Sequence, residues 1–381
     1  MTRTRLPTEP ARFRLSRTAL AGGFLGFFVS GGVAALYGPS APAFRRAFEV
    51  SEVVSGLPAS VHPLAALVGV LGWAAAVRRG ARARLLAVGA VVLAAGGLAV
   101  AGAPSMALVL ASSVLLGVGF GLLSNGMNSL YPRDTGPRTP TVVACMHGVF
   151  GVGAVSLPLL LSVAGHRVAF ATVGVVALVA VPLLRTTSTP PRPALDLDAR
   201  VVPRRHVATF SVVFGLYVAV ESATATWLAT YLEFRGWDAG AAARWTSAFW
   251  LAITGGRFLF ALVLARVRPG RLVKFVLPLA TVALALASVP PLAPFAFVAA
   301  GLFFAPVFPT AMVWLPRALP DAEGATTAAV VAALIGASVT PFLVGAIGSG
   351  LGLGVVPFAL AAVGTAACVV SFVVGRRFGE G

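Results

Sequence analysis

The chain is 381 residues long, 58% apolar and only 11% charged, with a mean hydropathy of +0.92. Soluble domains are about half apolar and a quarter charged, and no soluble fold of this size hides so much apolar surface from water, so the composition places the chain in a membrane. The net charge of +17 would suggest nucleic acid in a soluble chain. Here the basic residues fall in short segments between apolar runs, which points to topology and excludes a nucleic-acid partner.

An Arg-rich start leads into an apolar run from Thr18 to Gly38, too long for a signal-peptide core, and it reads as an uncleaved first span. Spans of roughly 20 apolar residues follow at 18–38, 52–76, 85–102, 105–131, 141–164 and 167–184. A second set runs over roughly 206–231, 241–265, 273–289, 293–315, 325–347 and 355–375. None shows the period-two alternation of barrel strands. The expected fold is an all-α membrane protein of twelve transmembrane helices. Ser51 and Asp238 stand where N-caps for spans 2 and 8 are expected.

With both termini on one side, the segments on that side hold 23 of the 29 Lys and Arg, and those on the other side hold five. The positive-inside rule makes the rich side cytoplasmic. The expected location is the bacterial cytoplasmic (inner) membrane, with both termini cytoplasmic. The longest hydrophilic stretch, Arg185 to His206, is Pro-rich and lies midway. The expected organisation is a six-helix bundle over 1–184, a cytoplasmic linker over 185–205 and a second six-helix bundle over 206–381.

The halves echo one another. "GAVSLP" at 153–158 matches "GASVTP" at 336–341, "MNSLYPR" at 127–133 matches "MVWLPR" at 312–317, and "RRGAR" at 78–82 matches "RPGR" at 268–271. Three echoes in the same order, offset by 183–190 positions, point to a duplicated and pseudo-symmetric unit.

Six plus six spans, parallel halves and a basic central loop resemble the major facilitator superfamily over essentially the whole chain. The superfamily's motif after span 2, Gly-x-Leu-x-Asp-Arg-x-Gly-Arg-Arg, is met by Arg78, Gly80 and Arg82, while Val77 stands at the Asp position. "MHGVFGVGAVSLPLL" at 146–160, "VESATATWLATYL" at 220–232 and "FFAPVFPTAM" at 303–312 are similar to the fucose/glucose-galactose:proton symporter branch and its uncharacterised relatives. That branch uses carboxylates in its first half, whereas spans 1 and 4 here hold neither Asp nor Glu. The resemblance implies spans 1, 4, 7 and 10 around a central cavity.

Charged residues within the hydrocarbon cost about 2.5–3.5 kcal/mol by insertion scales, so each needs a cavity or a partner. Glu221 in span 7 shares a face with Tyr217 and Thr224. It is a candidate for proton coupling, the alternative being a structural Glu fixed in a hydrogen-bond or ion-pair network with span 8. Arg257 in span 8 reads as a gating or structural brace, as does Arg78. Asn125 and Asn128 in span 4, with Tyr131 a turn beyond, are either donor–acceptor groups for a polar solute or glue between helices. His147 could relay protons, and His62 is the weaker histidine candidate. The expected contacts are Asn125, Asn128, Tyr217, Glu221 and Thr310, walled by Phe28 and Trp314. Trp227, Trp250 and Trp314 are candidates to stack on a sugar ring, the alternative for Trp227 and Trp314 being an interfacial aromatic belt, and Pro306 and Pro309 read as a break in span 10.

No phosphate cradle, ligand cluster or nucleophile constellation occurs, so neither an enzyme nor a cofactor is expected. The resulting expectation is a monomeric secondary transporter in the bilayer, moving a small polar organic solute, a sugar before others, with protons as the coupling ion. An exporter of drugs or amphiphilic compounds and an uncoupled facilitator stand as alternatives.

Overall fold

In the computed structural model the described residues are 14–79, 84–133, 138–188, 204–264, 269–310 and 325–377. They are helical throughout, apart from short turns. The helices are α1 (Arg17–Phe48), α2 (Glu52–Arg79), α3 (Arg84–Ala101), α4 (Met106–Leu130), α5 (Thr139–Leu184), α6 (Arg204–Phe234), α7 (Ala239–Leu264), α8 (Pro269–Leu286), α9 (Ala293–Phe304), α10 (Ala325–Leu351) and α11 (Val356–Arg377). Nine candidate membrane spans are present among the described residues.

Local chemistry explains where the helices start and stop. The Ser16 hydroxyl accepts from the Ala19 amide at 3.0 Å, Ser51 from the Val54 amide at 3.4 Å, and Asp238 from the Ala241 amide at 2.8 Å. Each satisfies an amide that the first helical turn leaves open. After α6 the chain turns through Gly236 at φ 91, and the Trp237 amide reaches back to the Leu232 carbonyl at 3.0 Å. This closure needs a left-handed residue, which glycine supplies without strain.

Two predicted spans, 141–164 and 167–184, are joined with almost no loop. Gly165, at φ 82 and ψ 167, is the one non-helical residue inside α5. The chain reverses there: Gly23 faces the Met146 side chain and Gly22 faces Leu183, so residues on either side of Gly165 meet the same stretch of α1. Span 10 is interrupted where its prolines fall. α9 ends at Phe304, a turn occupies 305–306, and the helix resumes over 307–310.

The buried apolar residues form two clusters. One draws on Leu15 to Leu184 plus Ala243, and the other on Phe210 to Ala367 plus Ala35 and Ala154. The same contact recurs in each. Gly153 of α5 lies against the Phe28 carbonyl of α1, and Gly336 of α10 lies against the Gly215 carbonyl of α6. Both glycines open the repeated Gly-Ala-x-x-x-Pro pattern, and the facing residues keep the offset of the two halves. The duplicated motif therefore makes a duplicated helix contact, because only a residue without a side chain lets two backbones approach so closely.

Candidate site between the two halves

The halves meet along three lines: α1 against α6, α5 against α7, and α2 against α10. On the first, α1 crosses α6. A Cβ on Gly38 would sit 2.1 Å from the Ala225 carbonyl, and the Trp227 ring edge lies 3.2 Å from where a Cβ of Gly56 would be. At the helix ends Arg46 pairs with Glu233 at 2.5 Å. This Glu233 end of the molecule is closed. On the second line, α7 lies along α5. Gly240 faces Ser162, Gly151 receives Thr254, and Gly148 faces Phe258.

Between these lines, away from the Glu233 end, polar side chains gather from both halves. At about 1.5 Å per residue, Glu221 lies roughly 20 Å along α6 from Phe234. The Tyr217 hydroxyl, one turn earlier on the same face, donates to Glu221 Oε2 and lies 3.4 Å from the Phe304 carbonyl. Arg257 of α7 sits close enough that its charge acts on Glu221, on Tyr217 and on His147 of α5. The Arg257 Nε is buried with no partner, and so is the Thr310 Oγ1. The His147 ring is exposed and stands edge-on to Phe27 with centroids 5.0 Å apart. A carboxyl, a phenol and an imidazole thus lie within electrostatic reach of one guanidinium, that of Arg257.

The expected contacts fall unequally into this group. Tyr217, Glu221 and His147 are brought together, and Arg257, read from sequence as a brace, joins them. Asn125 is half-buried and Asn128 exposed. The Asn128 amide donates to the Ser124 carbonyl of its own helix at 2.9 Å, and among the described residues neither asparagine bonds to another helix. Phe28 is partly buried against the first core. The Thr224 hydroxyl is spent on the Val220 carbonyl at 2.7 Å. Trp314 and the Arg78 side chain lie outside the described residues.

Two expectations are corrected. Trp227 is not an interfacial belt residue: its ring is 2% exposed, and its Nε1 donates to the Pro341 carbonyl at 2.8 Å. Tyr131 does not continue the asparagine face toward a cavity but is buried, donating to the Ala19 carbonyl at 2.7 Å. Hydropathy places a residue by depth and says nothing of its angle around the bundle, which is why both were misassigned. The Arg46–Glu233 pair and the buried Tyr37–His62 contact, 3.3 Å between hydroxyl and Nδ1, carry no signal in the sequence, since their partners are far apart along the chain.

The family model of the Major Facilitator Superfamily matches residues 23–334. Among solved structures, the chain resembles a point mutant of the nucleoside transporter NupG at 12% identity and a TM-score of 0.76, covering 94% of this chain and 100% of that one. It also resembles the xylose transporter XylE from E. coli in an inward open conformation, at 14% identity and a TM-score of 0.75, covering 92% and 94%. A bacterial homologue of the human lysosomal transporter Spinster, inward-facing and occupied, follows at 16% identity and a TM-score of 0.73, covering 94% and 96%. No curated protein sequence matches. With a family match over most of its length and an all-helical, multi-span fold among the described residues, the chain belongs to the Major Facilitator Superfamily, as a multi-pass membrane transporter and not an enzyme.

Proposed function

We propose that the protein is a proton-coupled secondary transporter of a small polar organic solute, a sugar before others, working by alternating access of its two halves. The observation that carries this reading is the Tyr217–Glu221 pair with Arg257 and His147 beside it. The group draws on both halves, at a depth where charge is costly and an ionisable side chain marks a functional site by default. A proton needs one titratable group whose surroundings change between the two states, whereas sodium wants several oxygen ligands. Glu221 is the one Asp or Glu well inside any of the twelve spans. The structural neighbours include a D-xylose–proton symporter, at 15% identity and a TM-score of 0.74, which supports the sugar-sized solute by fold alone.

Placing the basic side in the cytoplasm makes the Glu233 end extracytoplasmic. The closed Glu233 end then corresponds to an inward-facing state, with Glu221, Asn125 and Asn128 on the cytoplasmic route.

The test is transport in proteoliposomes with labelled sugars under an imposed pH gradient. Wild type accumulates substrate, and Glu221→Gln, which mimics the protonated acid, loses accumulation but keeps counterflow of preloaded substrate. Accumulation driven by sodium at fixed pH, or an unchanged pH dependence in Glu221→Gln, removes Glu221 from the coupling role. Equilibration without accumulation in wild type supports an uncoupled facilitator instead.

A further inference from the structure

Arg257 alone, of the 29 Lys and Arg, falls well inside a predicted span, and it has no ion-pair partner among the described residues. Its Nε is buried without an acceptor. The ion pairs among the described residues, Arg45–Glu52 and Arg46–Glu233, both lie at the Glu233 end. Among the described residues the carboxylate within reach of its charge, Glu221, accepts from the Tyr217 hydroxyl. A half-buried guanidinium at this depth, its Nε buried without an acceptor, has N–H donors left for an anion from another source.

We propose that Arg257 receives a carboxylate of the transported solute, so that the substrate is a small hydroxylated monocarboxylate of the sugar-acid kind and not a neutral sugar. This rests on the proton-coupled solute-transporter reading above and replaces its neutral sugar with a sugar acid. The guanidinium offers a planar fork of N–H donors that fits a carboxylate in two parallel bonds. One cation beside one side-chain carboxylate suits a ligand with a single negative charge, and the second charge of a phosphate monoester would stay unbalanced.

A coupling rule follows from the same geometry. Glu221 and the solute carboxylate draw on one cation, so the anion binds best when Glu221 has taken a proton onto its carboxylate and leaves Arg257 free. Among the described residues, the titratable and charged groups that act on Arg257 are Glu221 and Tyr217 from α6 and His147 from α5. The described parts of α9 and α10 carry no Asp, Glu, His, Lys or Arg. Anion and proton therefore travel together, and the central charge balance is the same loaded or empty.

The experiment measures ligand affinity by thermal shift and calorimetry on purified wild type, Arg257→Gln, Arg257→Lys and Glu221→Gln. Matched probes are gluconate against glucose, lactate against 1,2-propanediol, and glucose 6-phosphate. The expected result is that a carboxylate binds wild type and its neutral match does not. Arg257→Gln should weaken that affinity roughly tenfold to a hundredfold, the worth of a charged hydrogen bond, with part recovered in Arg257→Lys. Above the titration of Glu221, affinity in wild type should fall by up to about tenfold per pH unit, and it should be flat in Glu221→Gln. Where Arg257→Gln does not fold, the pH profiles of wild type and Glu221→Gln decide alone. Binding of glucose with no carboxylate effect, preference for glucose 6-phosphate, or carboxylate binding untouched in Arg257→Gln overturns the proposal and leaves the solute-transporter reading standing. A panel in which nothing binds overturns both.

Discussion

Trp227 and Asn128 show how the same residue class, polar within a membrane helix, divides into structure and function once partners are known. Trp227 gives its indole N–H to the Pro341 carbonyl, and its ring fills the gap beside Gly345, where a Cβ would come within 2.3 Å of it. Trp227→Phe removes that bond and leaves a void, so a loss of about 1–3 kcal/mol is expected, read as a lowered Tm in detergent. Asn128 bonds only to the Ser124 carbonyl of its own helix. Asn128→Ala is therefore expected to leave Tm almost unchanged and to weaken binding of the transported solute. The opposite pattern, an early melt with affinity intact, returns Asn128 to a structural role. Depth was legible in the sequence for both residues. Partner choice was not, because it depends on which helix stands at which angle, and the sequence period sets only a helix's own faces.

At the scale of the helix, identical collisions have different meanings according to where they occur. A Cβ on Gly31 would lie 1.9 Å from the Phe150 carbonyl, inside the first bundle. A Cβ on Gly38, two turns along α1, would lie 2.1 Å from the Ala225 carbonyl, between the bundles. Gly31→Ala forces apart helices that stay together in both transport states, so it is expected to lower Tm as an overpacked core does, by about 1–3 kcal/mol. Gly38→Ala strains only the closed Glu233 end. Opening that end relieves the clash, so the variant should remain folded and shift toward the state open there. A cysteine at Ala34, one turn deeper on the same face, reports the difference through faster labelling by an impermeant reagent added on the Glu233 side. Unchanged labelling together with a lowered Tm would mean that α1 and α6 do not separate. The helices themselves were largely legible, caps included, since Ser51 and Asp238 act where the sequence placed them. The Gly165 reversal was not. A break between two spans is visible in hydropathy, but its reduction to a single residue of positive φ depends on how 139–164 and 166–184 pack on α1 and α3.

For the whole molecule, orientation and state are separable questions. Cysteines at Ala83 and Ala194 are expected to label only from the cytoplasm and those at Ala47 and Ala239 only from outside, from the 23-to-five split of basic residues. Labelling of Ala194 from outside would break the arrangement of two halves joined by a cytoplasmic linker. The Arg46–Glu233 pair joins those halves, but Arg46 is 51% exposed, and such a pair is worth at most about 1 kcal/mol. Glu233→Gln should therefore shift the balance of states by less than about fivefold, well below the effect of Gly38→Ala. The sequence by itself determined the membrane, the spans, the doubling and the candidate orientation. These follow from hydropathy and charge summed along the chain, and such sums need no knowledge of neighbours. It also singled out Glu221, because one carboxylate in an apolar run is conspicuous without any structure. Only the tertiary structure decided that Arg257 belongs with Glu221, Tyr217 and His147, that Trp227 points inward, and that one end of the molecule is closed. Those facts rest on contacts between helices distant in sequence, where a shift of one residue in rotation or depth exchanges one partner for another.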